Sequence, residues 1–168
     1  IEALRILRAL DLRPRRTIRV VLFANEENGL RGARAYRAAH EKELPDHVLA
    51  FESDRGGFTP RGFTTNAEGG ALAILRALAR LLEEAGAGEV RPGPGGADVS
   101  VLERDGIPLA GLLPDRQRYF DLHHSARDTI DAVHPRELNL GAGAMAALLY
   151  GVADLPERLP RGEPRRRP

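Results

Sequence analysis

The sequence predicts an α/β protein, a three-layer sandwich in which helices flank a central, mostly parallel or mixed sheet. Three short apolar runs, at residues 18–24, 47–51 and 107–113, each end in acidic or turn-forming residues. Longer Ala/Leu-rich segments with helical periodicity lie between these runs. Strands that alternate with helices are typical of a parallel sheet whose two faces are covered by helices.

Composition limits the classes of function. The 168 residues suit a single domain, and the net charge of +1 gives no reason to expect nucleic acid or an anionic membrane as a partner. The chain has no Cys, which excludes disulfides, zinc–thiolate sites and thiol catalysis. No apolar stretch is long enough to span a bilayer, and no signal peptide is evident. The compartment stays open between secreted, periplasmic and cytoplasmic.

The first half of the chain predicts alternating helices and strands. An amphipathic helix is expected from the apolar spacing of Ile1, Leu4, Leu7 and Leu10. It begins without Met or a capping residue, so we expect a preceding part of the domain to be missing. The order that follows is a strand at 18–24, a helix at 30–42, a strand at 47–51 and a loop or short hairpin at 58–68.

The second half continues the alternation. We expect a helix at 70–85, a flexible loop at 91–96, a short helix at 99–104, a strand at 107–113, an irregular stretch at 116–131 and a helix at 135–154. Pro135 suits the first turn of that last helix. The Pro/Arg-rich tail at 156–168 is predicted to be disordered.

Polar side chains follow three of the predicted elements and could meet in one cleft. The groups are Glu26 with Glu27, residues 52–54 with Asp54 at their end, and the His pair at 123–124. Carboxyl ends of parallel strands lie along one sheet edge, where α/β proteins bind ligands. Taken singly, Asp54 could be a turn former, and His124 a polar residue beside a helix. Together they favour a zinc site, because zinc binds imidazole nitrogen and carboxylate oxygen, and a nearby carboxylate can take a proton from the bound water.

Four segments resemble the co-catalytic zinc exopeptidases (metallopeptidase family 28), typified by bacterial leucyl aminopeptidase, and most of all their carboxypeptidase Q branch. The segments are residues 23–33, 51–58, 95–99 and 119–129, in the family's order and at plausible spacings. This resemblance implies a zinc-exopeptidase-like fold and two zinc ions in the intact protein. It also implies roles for four residues. Glu26 matches the general base, Glu27 and His124 match ligands of one zinc, and Asp54 matches a ligand of the second.

Four further residues receive weaker roles from the resemblance. Asp98 lies where many members have Asp-His, and here Val99 replaces that His, so Asp98 is expected to orient the site. His123 is expected to support the site or face the substrate, and Asp128 to hold the loop of His124. Tyr119 could donate a hydrogen bond to substrate or oxyanion, and a packing role is equally open.

The chain departs from the family in its ligand set. The family also uses another His and a bridging Asp, and His40, His47 and His134 lie where surface roles are the default. We therefore expect residues 1–155 to be the C-terminal part of a catalytic domain, with three ligands and the base. Alone, it should bind the second zinc poorly and be inactive.

The expected function is that of a zinc-dependent exopeptidase, an aminopeptidase or a carboxypeptidase Q-like dipeptidase, acting on short peptides through a metal-activated water. No nucleic acid or membrane partner is expected, and a homodimer is left open. Two alternatives remain. One is a non-catalytic binding domain with the peptidase fold, and the other is a single-zinc acyltransferase of the glutaminyl cyclase type.

Overall fold

Four strands form one mixed sheet in the computed structural model, which describes residues 1–163. The strands are β1 (Ala50–Glu52), β2 (Pro60–Thr65), β3 (Glu89–Pro92) and β4 (Leu109–Pro114), in the spatial order β1-β4-β2-β3. β1 pairs with β4 and β2 with β3 in parallel, whereas β2 and β4 are antiparallel. A mixed sheet flanked by helices confirms the fold class that the sequence predicts.

Five α-helices accompany the sheet in the part of the chain that the structure describes. They are α1 (Glu2–Ala9), α2 (Arg31–Ala39), α3 (Gly69–Arg80), α4 (Tyr119–Leu122) and α5 (Pro135–Asp154). Short 3-10 helices lie at Glu41–Asp46, Val99–Asp105 and Ile130–Ala132. α5 begins at Pro135, where a missing N–H costs no helical hydrogen bond. No helix within the described residues is both long and apolar enough to cross a membrane.

Apolar side chains pack on both faces of the sheet. On one face, Phe63 and Leu112 contact buried residues of α3 and α5 such as Leu75. On the other face, Leu109 packs with residues of the 3-10 helix at Val99–Asp105. Every residue of β4 is buried, as expected for a strand covered on both sides. α1 lies outside α5, against which it packs. The result is a helix–sheet–helix sandwich.

The predicted loop or hairpin at 58–68 is instead largely strand β2, and β3 was not predicted at all. Pro60 and Gly62 are the residues that suggested a loop, and the pairing of β2 with β4 shifts register between them. A strand tolerates Pro at its first residue and Gly at such an irregularity. β3 is a short, partly exposed edge strand with little apolar signal.

The segment 18–24, predicted to be a doubly buried strand, has no regular secondary structure. Within the described residues, no strand pairs with it, and Val20 and Leu22 are 44% and 78% exposed. Its apolar, β-branched composition favours a strand, but a strand forms only where a neighbour supplies hydrogen bonds. Side-chain contacts hold it instead, including an edge-to-face contact of Phe23 with Tyr36 and a hydrogen bond of Arg19 to the Tyr36 hydroxyl.

The described part of the predicted disordered tail is packed. Leu159 is 1% exposed and belongs to the core of α3 and α5. The guanidinium of Arg161 donates to the carbonyls of Leu44, Pro45 and Asp105. The expectation of disorder is therefore wrong for 156–163, because one apolar side chain packs into a core and one Arg donates to three backbone carbonyls. Residues 164–168 of the predicted tail lie outside the described residues.

Candidate active site

A cavity of about 460 Å³ brings together most of the residues that the sequence marks as functional. Three loops form it: the turn before α2, the loop after β1, and the segment that contains α4 and the following turn. The predicted site residues that line it are Glu26, Glu27, Asp54, Tyr119, His123, His124 and Asp128. We refer to this cavity as the acidic cleft.

A tight turn, and not a strand end, positions Glu26 and Glu27. The carbonyl of Glu26 accepts hydrogen bonds from the backbone N–H groups of Gly29 and Leu30, at 3.0 and 2.9 Å. The N–H of Gly32 bonds the carbonyl of Ala24 at 3.0 Å and locks the turn onto the start of α2. These bonds fix the backbone and leave both carboxylates directed into the cleft.

His124 and Glu27 meet although they are 97 positions apart in the chain. The Nε2 atom of His124 lies 2.8 Å from a carboxylate oxygen of Glu27. Both side chains are exposed, at 63% and 70%, so water screens the pair and its contribution to stability is small. His124 also has a left-handed backbone (φ +53°), a conformation that costs energy for a residue with a Cβ and that clusters at functional sites.

The rings of Tyr119, His123 and His124 pack against one another. His123 stacks on Tyr119 with ring centroids 4.6 Å apart, and its ring centroid lies 3.8 Å from that of His124. The backbone N–H of Asp128 bonds the carbonyl of Ser125 at 3.1 Å and closes the turn after His124. His123 thus contacts both rings and restricts the position of His124.

Asp98 lies away from the cleft surface and is buried, with 7% exposure. Its Oδ1 atom has no hydrogen-bond partner among the described residues. Burial, followed by the negative charges of Glu52, Glu26 and Asp54, raises the pKa of Asp98 to about 6. The structure therefore places Asp98 close to the carboxylates of Glu52, Glu26 and Asp54.

Glu52 is a residue of this site to which the sequence assigned no role. Its Oε2 atom accepts the backbone N–H of Val99 at 2.8 Å, which ties β1 to the loop that carries Asp98. Burial is the main cause that raises the pKa of Glu52. Gly96 lies so close to Glu52 that a Cβ there would overlap the Glu52 side chain. Glu52 follows directly after an apolar run, and this position is the sequence feature that could have indicated a role at the site.

The donors of the cleft match zinc in type and in one pair of positions. Imidazole and carboxylate are ligands that zinc takes in proteins, and Glu27 and His124 already converge. Asp54 lines the same cavity. Within residues 1–163, however, no three His, Asp or Glu side chains are grouped closely enough to hold a metal ion. The chain thus presents a pair of converging donors and a third donor across the cleft.

Comparison with known proteins gives consistent relatives. The model of Peptidase family M28 matches residues 1–149. Carboxypeptidase Q of Bos taurus is 38% identical over 160 residues, which are 95% of this chain and 34% of that protein. Carboxypeptidase Q of Homo sapiens is also 38% identical, with the same coverage of both chains. The chain thus spans about a third of the length of the curated relatives it matches.

Two solved structures share the fold. A peptidase M28 precursor from Shewanella amazonensis SB2B superposes with a TM-score of 0.89 and 33% identity, over 98% of this chain and 37% of that one. An aminopeptidase from Aneurinibacillus sp. strain AM-1 gives a TM-score of 0.59 at 24% identity, over 86% of this chain and 36% of that one. The second likeness concerns the fold alone.

The fold and these relatives place the chain in a group of proteins related to known peptidases. Within that group, the chain belongs to peptidase family M28. The resemblance read from four sequence segments is thereby confirmed at the level of the family.

Proposed function

We propose that this chain is the C-terminal part of a zinc-dependent exopeptidase that hydrolyses short peptides. The observation that carries the proposal is the approach of His124 to Glu27 at 2.8 Å, inside a cavity that Glu26 and Asp54 also line. Four polar side chains from three separate loops line one exposed cavity, and the stability of the fold does not require this arrangement. A shared ligand or reaction supplies the reason for it.

Each residue has a role in this proposal. Glu27 and His124 would hold one zinc ion and Asp54 a second, with the remaining ligands contributed by parts of the protein that relatives possess beyond the matched third. Bound zinc would supply a Lewis acid that polarises the scissile carbonyl and makes water easier to deprotonate. Glu26, on the same turn as Glu27, takes the proton of the attacking water and later gives it to the leaving amine.

The residues around these groups stabilise their positions. His123 packs against His124 and limits its ring orientations. Asp98, which is buried near Glu26 and Asp54, orients the site through its charge. Tyr119 lines the cleft and is available to donate to a substrate carbonyl.

The likeness to carboxypeptidase Q favours dipeptides or short unblocked peptides as substrates. That relative is 38% identical over 95% of this chain, whereas the aminopeptidase likeness extends only to the fold. Fold analogy alone would not separate the two activities.

Chelation and metal restoration in the full-length protein test the proposal. Hydrolysis of short peptides should disappear on removal of metal and return with zinc, and elemental analysis should find two zinc ions per chain. Residues 1–163 alone should bind less than two. Peptide hydrolysis that persists without metal would overturn the zinc assignment.

The same measurements separate the two alternative functions. One zinc ion, together with cyclisation of N-terminal glutamine, would indicate an acyltransferase of the glutaminyl cyclase type. Full zinc occupancy with no turnover of any peptide would indicate a non-catalytic binding domain.

A further inference from the structure

A second cavity adjoins the acidic cleft and has the opposite charge. It has a volume of about 330 Å³, and the residues of its wall used below are Arg55, Asp115, Arg116, Tyr119, Phe120 and His123. Tyr119 and His123 line both cavities, so the two spaces share a wall. The charge changes sign within one step of the chain, since Asp54 lines the acidic cleft and Arg55 lines its neighbour. We refer to the second cavity as the basic pocket.

The guanidinium groups of Arg55 and Arg116, in the basic pocket, are available to bind a ligand. Neither Arg55 nor Arg116 makes a side-chain hydrogen bond or ion pair within residues 1–163. Arg118, two residues after Arg116, behaves differently. It donates to both carboxylate oxygens of Glu137, at 2.8 and 2.7 Å, and lies 4.8 Å from the centre of the Phe58 ring. The contrast shows that nearby arginines find partners where the fold supplies them.

The acid of the basic pocket is already neutralised. Asp115 accepts the backbone N–H of Gln117 at 3.0 Å and a guanidinium N–H of Arg61 at 2.7 Å. These two contacts lower the pKa of Asp115 and compensate its charge. The free charge facing the basic pocket is therefore positive.

A guanidinium presents paired N–H donors in a geometry that matches a carboxylate. The complementary ligand is an anion near the scissile bond, because the basic pocket begins where the acidic cleft ends. The ring of Phe120, 81% exposed beside the pocket, offers apolar surface for an adjacent side chain. A short peptide has this distribution of charge, with its C-terminal carboxylate a few ångströms from its last peptide bond.

We propose that Arg55 and Arg116 bind the C-terminal carboxylate of the substrate and so select peptides whose scissile bond is close to the C-terminus. The inference rests on the proposed exopeptidase function and deepens it. It assigns specificity to residues outside the metal-binding and proton-transferring set. An enzyme that recognised only the N-terminus of its substrate would not need these two cations.

The test compares a dipeptide ending in an aromatic residue with the same dipeptide as its C-terminal amide. The zinc-loaded full-length protein should cleave the free acid with a kcat/KM about 10- to 100-fold above that of the amide, the range expected for charge-assisted hydrogen bonds. Arg116→Gln and Arg55→Gln should each remove most of that preference by raising KM for the acid, with kcat and the amide unaffected. Arg116→Lys should restore part of it.

Arg34→Gln is the matched control, since Arg34 is an exposed arginine of α2 and its substitution changes the net charge equally. It should leave the preference intact. Equal cleavage of acid and amide by the unaltered protein would overturn the proposal that the pocket binds the C-terminal carboxylate, and so would an equal loss on both substrates in the Arg variants. Equal cleavage would not contradict the proposed exopeptidase function.

A binding measurement separates failure of this inference from failure of the proposed function. If the full-length protein cleaves neither compound, the exopeptidase proposal fails. Titration calorimetry with the same acid and amide still tests the pocket. Tighter binding of the acid that depends on Arg116 supports the inference, and equal binding of the two compounds overturns it.

Discussion

The acidic cleft and the buried acids behind it differ in how the protein holds them. Behind the cleft lie Glu52 and Asp98, which we call the floor; they are anchored to β1 and to the loop before a 3-10 helix. The rim consists of Glu26, Glu27 and His124, which are carried on turns and reach into solvent. The floor is fixed by the sheet, whereas the rim is positioned by a few turn hydrogen bonds.

This difference separates stability from chemistry. The acids of the floor lose water on folding, so their charged forms cost free energy in the absence of a cation. The residues of the rim stay hydrated, and their substitution should cost little stability. Changes at the floor should therefore appear in unfolding experiments, and changes at the rim in catalysis and metal content. Four predictions test that division.

The largest effect is expected for Glu26→Gln in the zinc-loaded full-length protein. Loss of the proton-accepting carboxylate should lower kcat by about 10³- to 10⁴-fold, the upper part of the range for general acid–base catalysis. Zinc content and melting temperature should stay unchanged, because the amide has the same shape. Glu84→Gln, an exposed substitution after α3, is the control. Near-normal turnover in Glu26→Gln would remove Glu26 from the mechanism.

The next effect concerns Asp98→Asn in the metal-free chain. The pKa of Asp98 is raised from 3.8 to about 6, so the folded state holds a proton more tightly than the unfolded state does. This contribution to stability is fully present below about pH 4, is lost as the pH rises through about 6, and is absent above it. Asn should therefore stabilise the chain by about 2 to 3 kcal/mol at pH 7.5 and by little at pH 4.

Urea unfolding at the two pH values measures this effect, with Asp131→Asn as the exposed control. Equal stability of Asp98→Asn and the unaltered chain at pH 7.5 would show that Asp98 is not a strained member of the floor.

A third prediction compares two glycines. In Gly96→Ala, the new Cβ would overlap the side chain of Glu52, and relieving that overlap should cost about 1 to 3 kcal/mol of unfolding free energy. Gly143 in α5 has no atom within 4 Å of a built Cβ. Gly143→Ala should instead stabilise the chain by about 0.5 to 1 kcal/mol through helix propensity. Thermal or urea unfolding of both variants measures the contrast, and similar behaviour of the two would mean that the floor is not tightly packed.

The smallest change in stability is expected for His124→Ala. The pair with Glu27 is exposed on both sides, so its loss should change the unfolding free energy by less than about 0.5 kcal/mol. Zinc content of the full-length protein, measured by elemental analysis, should nevertheless fall. An unchanged zinc content would show that His124 is not a ligand, and that either His123 or no residue of this loop binds zinc.

Much of the fold follows from local patterns. Helices α1, α3 and α5 and strand β4 lie where the apolar spacing predicts them, because each buries an apolar face of its own. The segment 18–24 has the composition of a strand, but pairing depends on a neighbour that no local pattern reveals. β2 was missed for the opposite reason, since neighbours on both sides complete a strand that contains Pro60 and Gly62.

The candidate site shows the same division. Seven of the eight predicted residues line one cavity, because turns and loops after successive elements converge. The burial of Glu52 and the orphaned oxygen of Asp98 depend on the close approach of the loop at 93–98 to β1, which separation along the chain conceals. The sequence also does not reveal that Arg55 and Arg116 line the same cavity, which is the reason to propose a binding role for them.

The packed segment after α5 has a consequence for where this domain ends. The family match stops at residue 149, yet Leu159 fills core space and Arg161 bonds three carbonyls beyond that point. The part of the chain that completes this core thus extends past the residues that the family model matches. Cutting the chain after α5 would open a leucine-sized void, and core truncations of that size typically cost about 2 to 5 kcal/mol. The physical border of the domain therefore lies at or beyond Arg161.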